Sequence, residues 1–440
     1  MTEPRTWILS NIRPLGGEPI DLRVEDGLIT GITPHAARAS MHDGALPGSQ
    51  PGPAAPGAVP AEGEPAPSGT GRAGGSPSGP GRPGTVVDGR GFLALPGLIN
   101  AHAHVDKSWW GRGWVSYGGE GTTQGRISHE REHRAGLGIP SEAGARTILA
   151  EFLRHGTTAT RSHVDVDLGV GLSGLEHVRA AAESLGGAIE VELVAFPQDG
   201  VLRRPGVVKL LEEAAQLGVA SIGGLDPAGI DRDPVGQLDA LFDIVERTGV
   251  GLDLHLHDPR ELGAFQIELI AERTIAAGAQ GRVNVAHGFA LGELAAGAQE
   301  ELLGKVAEAG VTWSTVAPVR SAPLPWRRMR ELGVGIGLGT DGIRDLWNPF
   351  GDGDLLKIAL QFARVNGLHT DEDLAYAVQL ASTLAAPFVH RAAHGLEVGA
   401  RADVVLVDAL NVQDALVRTP VRELVVAGGR VVAERGELRV

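Results

Sequence analysis

His102 and His104 stand one residue apart at the end of the apolar run Leu95-Pro96-Gly97-Leu98-Ile99-Asn100-Ala101. Read as a strand, the run points side chains i and i+2 to one face, so both imidazoles can grip a single metal ion. A bare His-x-His also occurs in exposed turns, and only the rest of the chain separates the two readings. Ligand-type residues recur where other strands are expected to end: His163 and Asp165, Gln198, Asp226, His255 with His257 and Asp258, His287, and Asp341. Two histidines from one strand, a third from another and a carboxylate suit a borderline divalent cation with N and O donors. Such an ion lowers the pKa of a bound water to about 7, and an acidic neighbour can carry the proton to a leaving nitrogen. Each residue also has a plain structural reading. His287, in Val285-Ala286-His287-Gly288, fits a hydrogen-bonded core histidine, and Asp341, in Gly339-Thr340-Asp341-Gly342, fits an ordinary Asp-Gly turn. His163 and Asp165 fit support of the ligands and simple barrel packing equally well.

The elements that must position these residues alternate. After His104, helical periodicity over Ser141–His155 leads to a strand through Ser162–Val166. Helices at 172–185, 207–217, 233–248, 262–277, 300–309 and 327–332 then separate strands at 189–196, 219–225, 251–257, 282–287, 311–316 and 334–341. With the first, that makes eight strands over the roughly 250 residues a TIM barrel needs, so the expected class is α/β with a TIM-like (β/α)8 barrel. Active sites of that architecture lie at the C-terminal strand ends, where the candidates fall. Strands are also expected at 7–12, 20–32 and 86–87, and again at 404–407, 422–426, 430–433 and from Leu438. Each set is too small to fold alone, and together they predict a small β-sandwich domain beside the barrel. The expected domains are therefore 1–94 and 392–440 for the two parts of the sandwich and 95–391 for the barrel. From about Ala37 to Gly84 the chain is Ala, Pro, Gly and Ser with few large apolar side chains, which predicts a disordered insertion into the N-terminal part.

Composition bounds the function. The chain has 440 residues, no cysteine and a net charge of -15. Disulfides, thiolate-bound zinc and a thiol nucleophile are excluded. The acidic balance argues against nucleic acid or an anionic membrane surface as partner. No signal segment opens the chain and no apolar run is long enough to span a bilayer, so a cytoplasmic location is expected.

The run Leu95–His104 resembles the first-strand signature of the amidohydrolase superfamily, and the tail Gly395–Asp403 resembles that family's return into its β-sandwich. Within the superfamily the likeness is to the cytosine deaminase branch, carried by His163-Val164-Asp165-Val166, Ala195-Phe196-Pro197-Gln198-Asp199-Gly200 and Asp345-Leu346-Trp347-Asn348-Pro349. The resemblance implies His102, His104, His255 and Asp341 as ligands of one divalent metal ion, zinc or iron. One ion is expected because Val219–Asp226 lacks the lysine that bridges two metals in binuclear relatives. His287 would hydrogen-bond the attacked oxygen, Asp341 would take the first proton, Gln198 would face the polar edge of a substrate ring, and Trp347 would wall the pocket.

Two departures from the branch stand out. The glutamate shuttle expected three residues after the fifth-strand histidine is Asp258 here, with His257 beside it; Asp258 is the expected shuttle, and His257 or a water relay the alternative. The carboxylate expected directly after Asp341 is Gly342, which removes a cytosine-reading contact and argues for a different ring. The expected function is hydrolysis of a C–N bond, most simply deamination, in a small nitrogen heterocycle. The alternatives are ring opening of a cyclic amide and a non-catalytic scaffold of the same fold. Assembly into a homo-oligomer is compatible with this architecture.

Overall fold

The structure, a computed structural model, describes residues 6–36 and 84–440. The Ala/Pro/Gly/Ser-rich insertion expected over about 37–84 lies, apart from Gly84, outside the described residues. Five strands precede the barrel: β1 (Thr6–Pro14), β2 (Ile20–Glu25), β3 (Leu28–Pro34), β4 (Thr85–Asp88) and β5 (Leu93–Pro96). The barrel strands are β6 (Leu98–His104), β7 (Thr157–Asp165), β8 (Glu190–Phe196), β9 (Ser221–Leu225), β10 (Gly251–Leu256), β11 (Val283–His287), β12 (Thr312–Thr315), β13 (Ile336–Leu338) and β14 (Asp341–Gly342). Four more follow: β15 (Val404–Val407), β16 (Arg422–Ala427), β17 (Arg430–Glu434) and β18 (Glu437–Leu438).

The barrel strands run in the order β13-β12-β11-β10-β9-β8-β7-β6-β14 with every pairing parallel. β13 and β14 are two pieces of one strand broken at Gly339 and Thr340, so the sheet returns to its first member and closes. Parallel strands covered on both faces read as continuously buried runs, and all nine residues of β7 are buried. α1 (Thr123–His133) lies at the barrel mouth, and the helices around the strands include α2 (Glu142–Arg154), α3 (Ser173–Ser184), α4 (Val207–Gln216), α5 (Pro234–Thr248) and α6 (Arg260–Ala276). Their ends follow capping chemistry. In α5, the Asp233 carboxylate accepts from the Gly236 amide, Pro234 opens the first turn, and Gly249 closes it in the left-handed region.

The terminal segments meet in one sheet, ordered β18-β17-β16-β15-β5-β1-β2-β3 with β4 beside β1. Period-two alternation lets this sheet hold two cores at once. Leu93 and Leu95 of β5, Val405 and Val407 of β15 and Val425 of β16 face the barrel's core. Ala94, Val404, Leu406, Leu424 and Val426 face the opposite way, onto Trp7, Leu9, Leu22 and Ile29.

The apolar run of residues 95–101 is therefore two strands, not one. β5 belongs to the terminal sheet and β6 to the barrel, and Gly97 makes the step between them. A Cβ at Gly97 would collide with Thr158 and with the Cβ of Asp403. The Gly97 carbonyl accepts from His394 Nε2 at 2.7 Å. Among the described residues no helix is long and apolar enough to cross a membrane.

Candidate active site

Period-two geometry at the end of β6 puts His102 and His104 inside the barrel mouth. β10 adds His255, β11 ends on His287, and β14 begins with Asp341. The Asp341 Oδ1 lies 3.5 Å from His102 Nε2 and 3.3 Å from His104 Nε2, and Oδ2 lies 4.0 Å from His287 Nε2. His255 Nε2 stands 3.3 Å from His104 Nε2. Donor atoms of His102, His104, His163 and His255 fall within 4.8 Å of one another, as do those of His102, His287 and Asp341. His163 sits deeper, its Nε2 3.1 Å from Asp253 Oδ1, close enough for an ion pair but not aligned for a hydrogen bond.

These side chains fit a divalent cation. Both nitrogens of His102 and the Nδ1 of His104 and of His255 are buried without a hydrogen-bond partner in the protein. Unsatisfied buried groups are costly, and His102 Nε2, which also faces Asp341, joins the Nε2 atoms of His104 and His255 in the N/O donor set a cation would take. Burial drives the His104 pKa down to about 3, with the Lys107 charge adding to the effect. Burial likewise holds His255 and His287 well below the usual histidine range. Neutral imidazoles are the form that ligates metal. Burial alone would raise Asp341, but the imidazoles of His102 and His104 against it hold it well below the usual carboxylate range. The backbone concentrates strain at this rim: Asp226, His287 and Asp341 all have positive φ, at 34°, 69° and 61°.

His257 lies just past the end of β10, its ring centroid 6.2 Å from that of His255. It lines the pocket and stacks on His287 with ring centroids 4.5 Å apart. Its Nδ1 is 3.1 Å from Asp226 Oδ2, and its amide donates to Asp226 Oδ1. Partial removal from water disfavours the imidazolium, yet the Asp226 carboxylate wins and raises the His257 pKa above the usual value. Asp258 points the other way, out of the pocket lining. Its Oδ2 accepts from the Gly229 amide and from Gln266 Nε2, each at 3.0 Å, and burial raises its pKa.

Gln198 and Trp347 line the same cavity of about 240 Å³ with Lys107, Arg126 and Phe289. One residue ties them together. Glu130 accepts from Gln198 Nε2 at 3.0 Å and from the Trp347 indole, and its other oxygen is 3.5 Å from Lys107 Nζ. Lys107 in turn donates to Asp165 at 2.6 Å. Burial opposes the Lys107 charge, but Asp165, Glu130 and Asp106 outweigh it and raise its pKa. Asp165 is thus a partner of Lys107 rather than of the imidazole cluster.

Sequence reasoning named neither Lys107 nor Glu130. Glu130 comes from α1, which carries almost no apolar periodicity to reveal it. Asp345 was also missed as a pocket group. Its Oδ1 accepts from the amides of Trp347 and Asn348, and burial lifts its pKa to about 7. A Cβ at Gly342 would collide with the Asp345 carboxylate, so the carboxylate absent after Asp341 is replaced in space from three residues downstream.

A barrel whose rim gathers imidazoles and one aspartate over a small pocket is the architecture of metal-dependent hydrolases, and comparison with known proteins agrees. The sequence profile of the amidohydrolase family matches residues 141–433. The chain is 29% identical over 365 residues, 80% of its length and 89% of the other's, to N-isopropylammelide isopropyl amidohydrolase of Pseudomonas sp. (strain ADP). The crystal structure of N-isopropylammelide isopropylaminohydrolase from Burkholderia multivorans ATCC 17616 superposes with a TM-score of 0.84 at 37% identity, covering 99% of this chain and 100% of that one. That of 5-methylcytosine deaminase from Klebsiella pneumoniae, liganded with 5-fluorocytosine, gives 0.76 at 20% identity over 98% of both. The chain belongs to the amidohydrolase family. The expected likeness to cytosine deaminases holds at the level of the fold.

Proposed function

We propose that this protein is a mononuclear metal-dependent hydrolase that cleaves an exocyclic C–N bond of a small nitrogen heterocycle and releases an amine or ammonia. The observation that carries this reading is the Asp341 carboxylate set against the Nε2 atoms of His102 and His104, with His255 Nε2 adjoining that of His104. His102, His104, His255 and Asp341 would hold one ion, zinc or iron. When bound, it supplies a water acidified to near-neutral pKa and a Lewis acid for the ring.

The chain's own groups do the rest. His257 lines the pocket with its Nδ1 committed to Asp226, which leaves Nε2 for proton transfer. It takes a proton there and returns it to the leaving nitrogen, the duty otherwise expected of Asp258. His287 hydrogen-bonds the oxygen added to the ring. Gln198 and Lys107 meet the ring's polar edge, both oriented by Glu130, and Trp347 forms the wall. Asp345, near neutrality in pKa, presents a carboxyl that can donate or accept at the space Gly342 leaves open.

N-isopropylammelide is the first substrate to try, because it names both the relative at 29% identity and the solved structure at 37%. Protein prepared without chelator should contain about one equivalent of metal and release isopropylamine from it, or ammonia from an amino analogue. A metal-loaded protein that forms a new carboxylate without releasing amine or ammonia would replace this reading by ring opening. Protein with less than about half an equivalent and no turnover would leave only the scaffold.

A further inference from the structure

One face of α1 looks into the pocket. Thr123, Arg126, Ile127 and Glu130 recur at the i, i+3, i+4, i+7 spacing of a single helical stripe. Ile127 packs with Phe196, Leu225 and Ile230 and with Trp347. Glu130 reaches Lys107, Gln198 and Trp347. Thr123 and Arg126 line the cavity itself.

The charges around that cavity are accounted for, with one exception. Lys107 is matched by Asp165 and Glu130. Asp341 belongs to the imidazole cluster, and Asp345 Oδ1 is taken up by two backbone amides. Arg126 has no carboxylate within ion-pair distance among the described residues, and its Nε is buried without any hydrogen-bond partner. A half-buried guanidinium carries a forked set of cationic donors. Left without an anion beside an enclosed site, it is a binding group waiting for one.

We infer that Arg126 is an anion subsite, and that the protein takes its substrate as the deprotonated, anionic form of an oxo-substituted azine. This rests on the proposed hydrolysis and names the charge state of its substrate. The chemistry matches the donor. A ring N–H or CH2 flanked by two carbonyls and made acidic enough by the rest of the ring leaves an anion spread over a planar edge that includes both carbonyl oxygens, and a guanidinium can bind that edge through charge-assisted hydrogen bonds. A neutral aminopyrimidine offers no such charge.

The test compares two non-hydrolysable rings of one skeleton: barbiturate, anionic at neutral pH, and uracil, neutral there. Binding of each to metal-loaded wild type, Arg126→Gln and Arg126→Lys is measured by calorimetry at pH 7. Wild type should prefer barbiturate by about 10-fold or more. Arg126→Gln should lose most of that preference while holding uracil within about 2-fold, and Arg126→Lys should retain part of it. Equal affinity for the two rings in wild type, or a preference that survives in Arg126→Gln, overturns the assignment. The hydrolysis reading fails separately: a preference that depends on Arg126, with no amine released from any amino-azine, would keep the anion subsite and discard the C–N chemistry.

Discussion

The two ends of β6 treat buried polar groups in opposite ways. Near its start, Asp403 accepts from Arg401 at 2.7 Å, from Arg391 at 2.8 Å and from the Gly428 amide at 2.7 Å. Burial there is overcome by Arg401 and Arg391, which lower the Asp403 pKa. At its far end, imidazoles crowd together with nitrogens left over. Removing one partner of a satisfied buried network leaves uncompensated charge, so the first region is arranged for stability. The second region withholds satisfaction from its donors, an arrangement that makes sense only when something from outside completes it.

The sharpest way to break that contrast is His255→Gln. It should reduce bound metal below about half an equivalent and cut turnover roughly 10³-fold or more. Chelator-treated variant and parent should nevertheless melt within about 4 °C of each other; a large loss of apo-protein stability would show that the rim also holds the fold together. Next in size is Asp403→Ala, which should cost about 3–5 kcal/mol in denaturant unfolding while leaving turnover per folded molecule unchanged. A drop in intrinsic turnover would mean that the two ends are not separable.

Asp226→Asn tests the rim alone. Asp226 raises the His257 pKa, so its loss should lower it, and the acid limb of the kcat/KM profile should move to lower pH, with metal content intact. An unmoved acid limb would exclude His257 as the titrating base. The smallest effect is expected of Asp258→Asn, within about 3-fold of wild type because its carboxylate is turned toward Gly229 and Gln266. A loss of about 100-fold would return the shuttle to Asp258.

Much of this contrast is legible in the chain. His-x-His at the end of an apolar run, and ligand-type residues at successive strand ends, are statements about period two and about where barrels keep their chemistry. His257 and Asp258 follow directly on β10, where the chain sets His257 in the pocket lining and turns Asp258 to Gly229 and Gln266. The eight-strand alternation also carries through, although the run ending in the histidines divides at Gly97 because its two halves answer to different sheets. α1 was not legible. Its inward face presents Ile127 as a lone apolar residue among Thr123, Arg126 and Glu130, so hydrophobic periodicity has nothing to register. Asp345 was hidden for another reason: its partnership with Gly342 is a matter of where a turn folds back, which no spacing rule encodes.

The step at Gly97 has a mechanical consequence. Four residues of β5 are zipped to β15, and the next seven residues are the arm that holds the first two imidazoles. With the carbonyl between them fastened to His394, the arm has no slack. The chain's tail therefore anchors the base of the strand that carries His102 and His104, and trimming residues after Asp403, several of which pack into the barrel's core, should cost the barrel its stability along with its cation site.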